Sequence, residues 1–187
     1  TTTYTNPVVI VSDPSNNDTD PVTTRIRNVT STSFEIRLDE PEAHNYFPHS
    51  TENVSYFVGE AGNYVFDDDG RTMTLGTFSS SSLNSNADTF TVEIGTSLSD
   101  PAVFTQIQTT NDSNWAVTRV LNVTSSTFDV GLQEQELFYS HNHEAETVGF
   151  LAVEKGVYMT EGEIASTVEV GETPNSYTHS TGSQSFD

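Results

Sequence analysis

Residues 27–42, RNVTSTSFEIRLDEPE, return as LNVTSSTFDVGLQEQE at residues 121–136, and no other feature constrains the fold as much. From Asn6 to Tyr64, 20 of 59 positions are identical to the residue 94 places further on, without a gap. Each period is large enough for a small core, so the chain reads as two tandem domains, 1–94 and 95–187. The ends keep the same register: Tyr4-x-x-Pro7 matches Leu98-x-x-Pro101, and Phe186 falls where Val92 sits. Two whole periods point to a section of a longer array, or to a subunit that continues into another copy.

Within each period the residues alternate. Phe34, Ile36 and Leu38 share one side of a strand while Glu35, Arg37 and Asp39 take the other, and Phe128, Val130 and Leu132 repeat the pattern. A preceding strand carries Thr24, Ile26 and Asn28, or Thr118, Val120 and Asn122, and joins the first through a short polar turn. A third strand carries Val54, Tyr56 and Val58, or Val148, Phe150 and Ala152, and ends at Gly62 or Gly156. No segment offers ten residues of helical periodicity, and β-branched residues occur throughout. The fold class is therefore all-β: two tandem antiparallel β-sandwiches, with variable loops and two further strands after Tyr64 and Tyr158. A 33% hydrophobic content with 10% aromatics suits thin sandwiches whose cores use a few large side chains.

With 27 acidic residues against 6 basic ones, the net charge of −21 repels nucleic acid and anionic lipid. A saline, extracellular setting fits that composition, as in halophilic or marine proteins. The absence of Cys excludes disulfides, thiolate nucleophiles and Cys-ligated zinc. No apolar run reaches the roughly 20 residues of a membrane span, and the first residues, TTTYTNP, have no signal-peptide pattern, as in a mature chain or a fragment. No GxSxG, HExxH, phosphate loop or dinucleotide fingerprint is present, and Glu134 and Glu136 point the same way instead of flanking a bond. The chain reads as a non-enzyme.

The inward parity of the central strand runs on into acids. Glu40, Glu42, Glu52 and His49 converge at one end of the first sheet if its strands pair as a hairpin, and Glu134, Glu136, Glu146 and His143 do so in the second. Such a group can act as a hydrogen-bonded clamp on its loop, or can hold a divalent cation. Ca²⁺ suits the oxygens and Zn²⁺ or Mn²⁺ the His; no cofactor is required. Arg25 and Arg119 fall on the outer parity, where they pair with acids such as Glu35 and Asp129 or grip a sugar. Trp115 and Tyr139 are the matching sugar-stacking candidates. DDDG at 67–70 lacks the EF-hand spacing and reads as an acidic turn. Five glycosylation sequons occur, at Asn17, Asn28, Asn53, Asn111 and Asn122.

The stretches PVVIV…TRIRNVTSTSFEIRL…ENVSYFVGEAG and PAVFTQIQT…TRVLNVTSSTFDVGLQE…ETVGFLAVEKG resemble the H-type lectin-like modules over roughly the first 60 residues of each half. The spelling H-x-x-E-T-V-G also looks like tandem repeats in large secreted or surface proteins and tail fibres of marine and halophilic microbes and their viruses. The lectin resemblance implies a six-stranded antiparallel sandwich, association through its sheets, and carbohydrate as a ligand class. Together these readings lead to an extracellular surface or fibre protein that works by assembly and adhesion with copies of itself or neighbouring repeats. A carbohydrate-binding module of a secreted, polysaccharide-targeting protein is the alternative.

Overall fold

The computed structural model describes residues 2–41, 49–65, 70–80, 88–134, 143–160 and 166–170. The described residues form thirteen strands and no helix. In chain order these are β1 (Pro7–Val11), β2 (Thr23–Arg27), β3 (Glu35–Asp39), β4 (Tyr56–Glu60), β5 (Gly62–Val65), β6 (Thr72–Ser79) and β7 (Phe90–Glu93). They continue as β8 (Pro101–Ile107), β9 (Ala116–Leu121), β10 (Thr127–Glu134), β11 (Thr147–Glu154), β12 (Gly156–Thr160) and β13 (Ser166–Val170). Every pairing among them is antiparallel.

The repeat in sequence is a repeat in register. Pro7 faces Glu60 across β1 and β4, and Pro101 faces Glu154 across β8 and β11. Arg25 faces Arg37 across β2 and β3, and Arg119 faces Gly131 across β9 and β10. The shared NVT triplet explains the identical turns. Asn28 and Asn122 take φ of 50° and 48°, a region Asn tolerates better than branched residues. The hydroxyls of Thr30 and Thr124 then each accept the backbone N–H three residues on, at 3.0 Å.

Two sheets enclose the main core. One is four-stranded, in the order β5-β6-β11-β8; the other is three-stranded, in the order β7-β10-β9. Between them lie Val92, Ile94, Leu98, Phe128, Val130, Phe150 and Ala152. Phe78 from β6 and Phe90 from β7 close this core edge to face, their rings 5.3 Å apart and that of Phe78 6.2 Å from Phe128. Gly76 is required where β6 crosses Phe150, since a Cβ there would lie 2.5 Å from the ring.

The sheets do not divide at residue 94. Strands β6 and β7, which fall within 1–94, are hydrogen-bonded to β11 and β10 of the second period. Their rings pack across the core, Phe78 of β6 on Phe90 and Phe128 of the other sheet, and the divergence after Tyr64 hid this from the repeat pattern. Among the described residues of the first period β1-β4 and β2-β3 are two-stranded, as is the β12-β13 hairpin. Equivalent residues consequently differ in burial. Tyr56 is 67% exposed while its counterpart Phe150 is 4% exposed, and Ile36 is 36% exposed where Val130 is fully buried. The two periods also interlock: the Gln108 side-chain oxygen accepts the Val9 N–H at 2.7 Å, in a space that a side chain at Gly149 would fill. No helix among the described residues is long and apolar enough to cross a membrane.

Candidate functional site

Each period holds its first interstrand loop with one carboxylate. Glu52, just before β4, accepts the backbone N–H of Asn17 at 3.0 Å and of Asp18 at 2.8 Å, together with the Ser15 hydroxyl. Glu146, just before β11, accepts the N–H of Asn111 at 3.0 Å and of Asp112 at 3.1 Å, together with the Thr109 hydroxyl. The return contacts match as well. The Asn17 and Asn111 amides donate to the carbonyls of Thr51 and Ala145, and Asp18 and Asp112 accept the N–H of Ser50 and Glu144. Every partner lies 94 residues from its counterpart. Carboxylates that gather several N–H donors in this way fix a loop as a charge-assisted clamp.

The second clamp differs from the first because it contains Arg25. This side chain leaves β2 in the first period and is 1% exposed. Its guanidinium donates to the carbonyls of Asn114 at 2.7 Å and Asp112 at 3.3 Å, and lies 3.4 Å from Glu146 and 3.6 Å from Asp39. The outer parity of β2 predicts Arg25 in solvent beside Glu35. That outer face is instead covered by the second period, so Arg25 is an internal tie and offers nothing to a sugar. Arg27 forms the Glu35 pair, at 2.8 Å. Arg119, the repeat counterpart of Arg25, is exposed and bonds Gln133 at 2.6 Å.

His143 sits beside the same group, 3% exposed, with Nδ1 2.7 Å from Glu134 and Nε2 3.5 Å from Glu146. Burial alone would lower its pKa, but the hydrogen bonds to Glu146 and Glu134 and the Asp112 charge raise it above the ordinary value. Burial likewise pushes Glu146 up, and the donors from His143, Thr109, Asn111 and Asp112 outweigh it and hold this carboxyl at about 2. In the first clamp His49 turns to carbonyl oxygens, of Ser50 at 2.9 Å and Asp20 at 3.3 Å. Its pKa is also raised, chiefly by the Ser50 carbonyl, with the Asp18 and Glu40 charges adding to it. One Glu40 oxygen is buried without a hydrogen bond among the described residues.

Asp112, Glu134 and His143 each bring a ligand atom within 4.8 Å of the others, a separation that a divalent ion tolerates. These atoms already serve the clamp: Asp112 accepts the N–H of Asn114 and Glu144, and Glu134 bonds the His143 ring. Glu42, Glu136 and Tyr139 lie outside the described residues, as do positions 67–69. Trp115 is half-buried, with its indole N–H enclosed. Of the sequons, Asn17 and Asn111 use their amides in the clamps, Asn122 bonds Asp129 at 2.8 Å, Asn28 bonds Glu35, and the Asn53 N–H bonds Ser15 at 2.8 Å.

Residue-type reasoning missed Asp18 and Asp112, Ser15 and Thr109, and the carboxylates Glu60 and Glu154. The last two cap the chain before β1 and β8 by accepting N–H groups of Thr5 and Asn6, or of Ser99. Identity at the 94-residue offset within otherwise divergent loops is the signal that finds Asn17-Asp18 and Glu60.

No family model and no solved structure matches this chain. Over 135 residues, 71% of its length, the chain is 39% identical to halomucin of Haloquadratum walsbyi. The chain spans about 1% of the length of that curated relative.

Proposed function

We propose that the chain is a two-repeat section of an extracellular, non-enzymatic structural protein of a salt-adapted cell, whose tandem β-sandwich modules act in assembly and adhesion. The observation that carries this reading is the joint: Arg25 of one period is locked into the clamp of the next, so the repeats are built to be held together. A joint of this kind between successive modules makes an array stiff and nearest-neighbour in its stability. The acidic composition supports a saline exterior, where carboxylates keep water and counterions at the surface. Likeness to halomucin supports a halophilic source and a position outside the cell.

In this reading the clamps work without a metal, because the oxygens of Glu52 and Glu146 already accept N–H and O–H donors. The test is unfolding of the purified chain in molar NaCl, followed by circular dichroism with and without EDTA, beside co-sedimentation with insoluble polysaccharides. One cooperative transition, indifferent to EDTA, with no sedimentation, is the expected result. Stoichiometric retention on a polysaccharide would overturn the structural reading in favour of the carbohydrate-binding alternative.

A further inference from the structure

Triplets of the form Asn-x-Ser/Thr begin at Asn17, Asn28, Asn53, Asn111 and Asn122. All five asparagines are exposed, so exposure does not separate them. The state of the side-chain amide does. Asn17 donates it to the Thr51 carbonyl at 2.9 Å and Asn111 to the Ala145 carbonyl at 2.6 Å, each as part of a loop clamp. Asn122 donates to Asp129 at 2.8 Å and Asn28 bonds Glu35, both from the positive φ of a tight turn. The Asn53 amide has no hydrogen bond among the described residues; only its backbone is held.

That backbone is anchored on both sides of the triplet. The Asn53 N–H donates to the Ser15 hydroxyl at 2.8 Å, its carbonyl accepts the Ser15 N–H at 2.9 Å, and the Ser55 carbonyl accepts the Ser12 N–H at 2.9 Å. Exposure alternates along this run: Asn53 and Ser55 are open to solvent and Val54 between them is half-buried. Both polar side chains of the triplet are therefore reached without unfolding. Pairing with a neighbouring strand does not close the position, since its counterpart Thr147 stays partly exposed although it faces Ser79 of β6. The triplet occurs in the first period only. Gly149 stands in the place of Ser55, and a Cβ there would lie 2.1 Å from the Gln108 side-chain oxygen; the first period has Pro14 where the second has Gln108.

We propose that Asn53 is an N-glycosylation site, taking an oligosaccharide from a lipid-phosphate donor in preference to the other four triplets of the folded chain. This rests on the reading of the chain as an extracellular protein. In the transfer the amide nitrogen attacks the anomeric carbon of the sugar. The new C–N bond forms as the C–O bond to phosphate breaks, the nitrogen gives up one proton, and the lipid phosphate leaves with the electron pair. A hydrogen bond on the amide makes the attacking form rarer, roughly two- to tenfold for a bond of ordinary strength. A glycan on Asn53 adds bulk and hydration at the surface and takes no side-chain bond from the fold. One on Asn17 or Asn111 competes with a clamp.

The test is transfer to the folded chain by a purified oligosaccharyltransferase and a lipid-linked oligosaccharide, in a salt where circular dichroism shows the native spectrum. Occupancy of each triplet is read by peptide mass spectrometry and divided by that of a synthetic peptide spanning the same triplet, which removes the preference of the enzyme itself. The expected result is a ratio for Asn53 severalfold above the other four, with most of the added mass lost in Asn53→Gln. Equal ratios, a higher ratio at another triplet, or no transfer to Asn53 in the folded chain overturns the proposal. Peptide mapping and cell fractionation of the native protein then separate this site from the reading beneath it. Asn53 carrying a glycan on protein outside the cell is expected. A bare Asn53 on protein outside the cell overturns the proposal alone, and protein found only in the cytoplasm overturns the extracellular reading together with it.

Discussion

Arg25 and Glu146 illustrate how a charge is held out of water when most of its bonding directions are met; of the Arg25 guanidinium only Nε has no hydrogen-bond partner among the described residues. Glu146 accepts two backbone N–H groups and a hydroxyl, and Arg25 reaches two carbonyls and two carboxylates. Removing one partner leaves the other buried and uncompensated. Glu146→Ala should cost about 3–5 kcal/mol in urea titrations, and Glu52→Ala less, because no Arg is stranded by it. EDTA should leave both losses unchanged. The same groups set a pH window. Glu146, held at about 2 against an ordinary 4.5, contributes stability that is present above 4.5 and lost as pH falls towards 2. His143, raised above 6.5, contributes stability that is full below 6.5 and lost as pH rises through its raised pKa. The urea midpoint should therefore peak between these limits, with Glu146→Gln flattening the acid limb and His143→Gln the alkaline one.

At the scale of the strand, two copies of one sequence pattern carry different energies because only one has both faces covered. Phe128 is fully buried among Phe78, Phe150 and the β10 neighbours, whereas Phe34 packs mainly on the exposed Tyr56. Phe128→Ala should cost about 3–5 kcal/mol by denaturant unfolding, and Phe34→Ala roughly half of that or less. Gly76 gives a sharper test of the crossing over Phe150. Gly76→Val forces the ring out of its place and should destabilise the chain by about 1–3 kcal/mol, visible as a lowered melting temperature. The equivalent-looking Gly70, with open space where its Cβ would be, is constrained only by its positive φ.

Across the whole molecule the charge of −21 outweighs every other long-range influence. Its self-repulsion opposes compaction and is screened beyond about 10 Å at 0.1 M salt, so melting temperature should climb as NaCl is raised from millimolar to molar. Glu146→Ala should keep that slope, since the buried pair it breaks lies beyond the reach of the screening ions. A flat salt response in the wild-type chain would contradict the saline role assigned to its surface.

Much of this was legible in the amino-acid order. Alternation placed Phe34, Ile36, Leu38 and their copies on one face, the short polar turns announced their hairpins, and the Glu52-His49 and Glu146-His143 pairs marked the loop clamps. These are local properties, set within a few residues by the pleat of a strand or the reach of a side chain. Two things were decided only in three dimensions. The burial of Arg25 was hidden because parity names a face of β2 without saying what lies against that face. The partnership of β6 and β7 with β11 and β10 was hidden because a strand offers the same N–H and C=O groups to any neighbour. Which neighbour takes them depends on apolar surfaces tens of residues away along the chain, and that choice gives β6 and β7 of the first period to the sheets of the second.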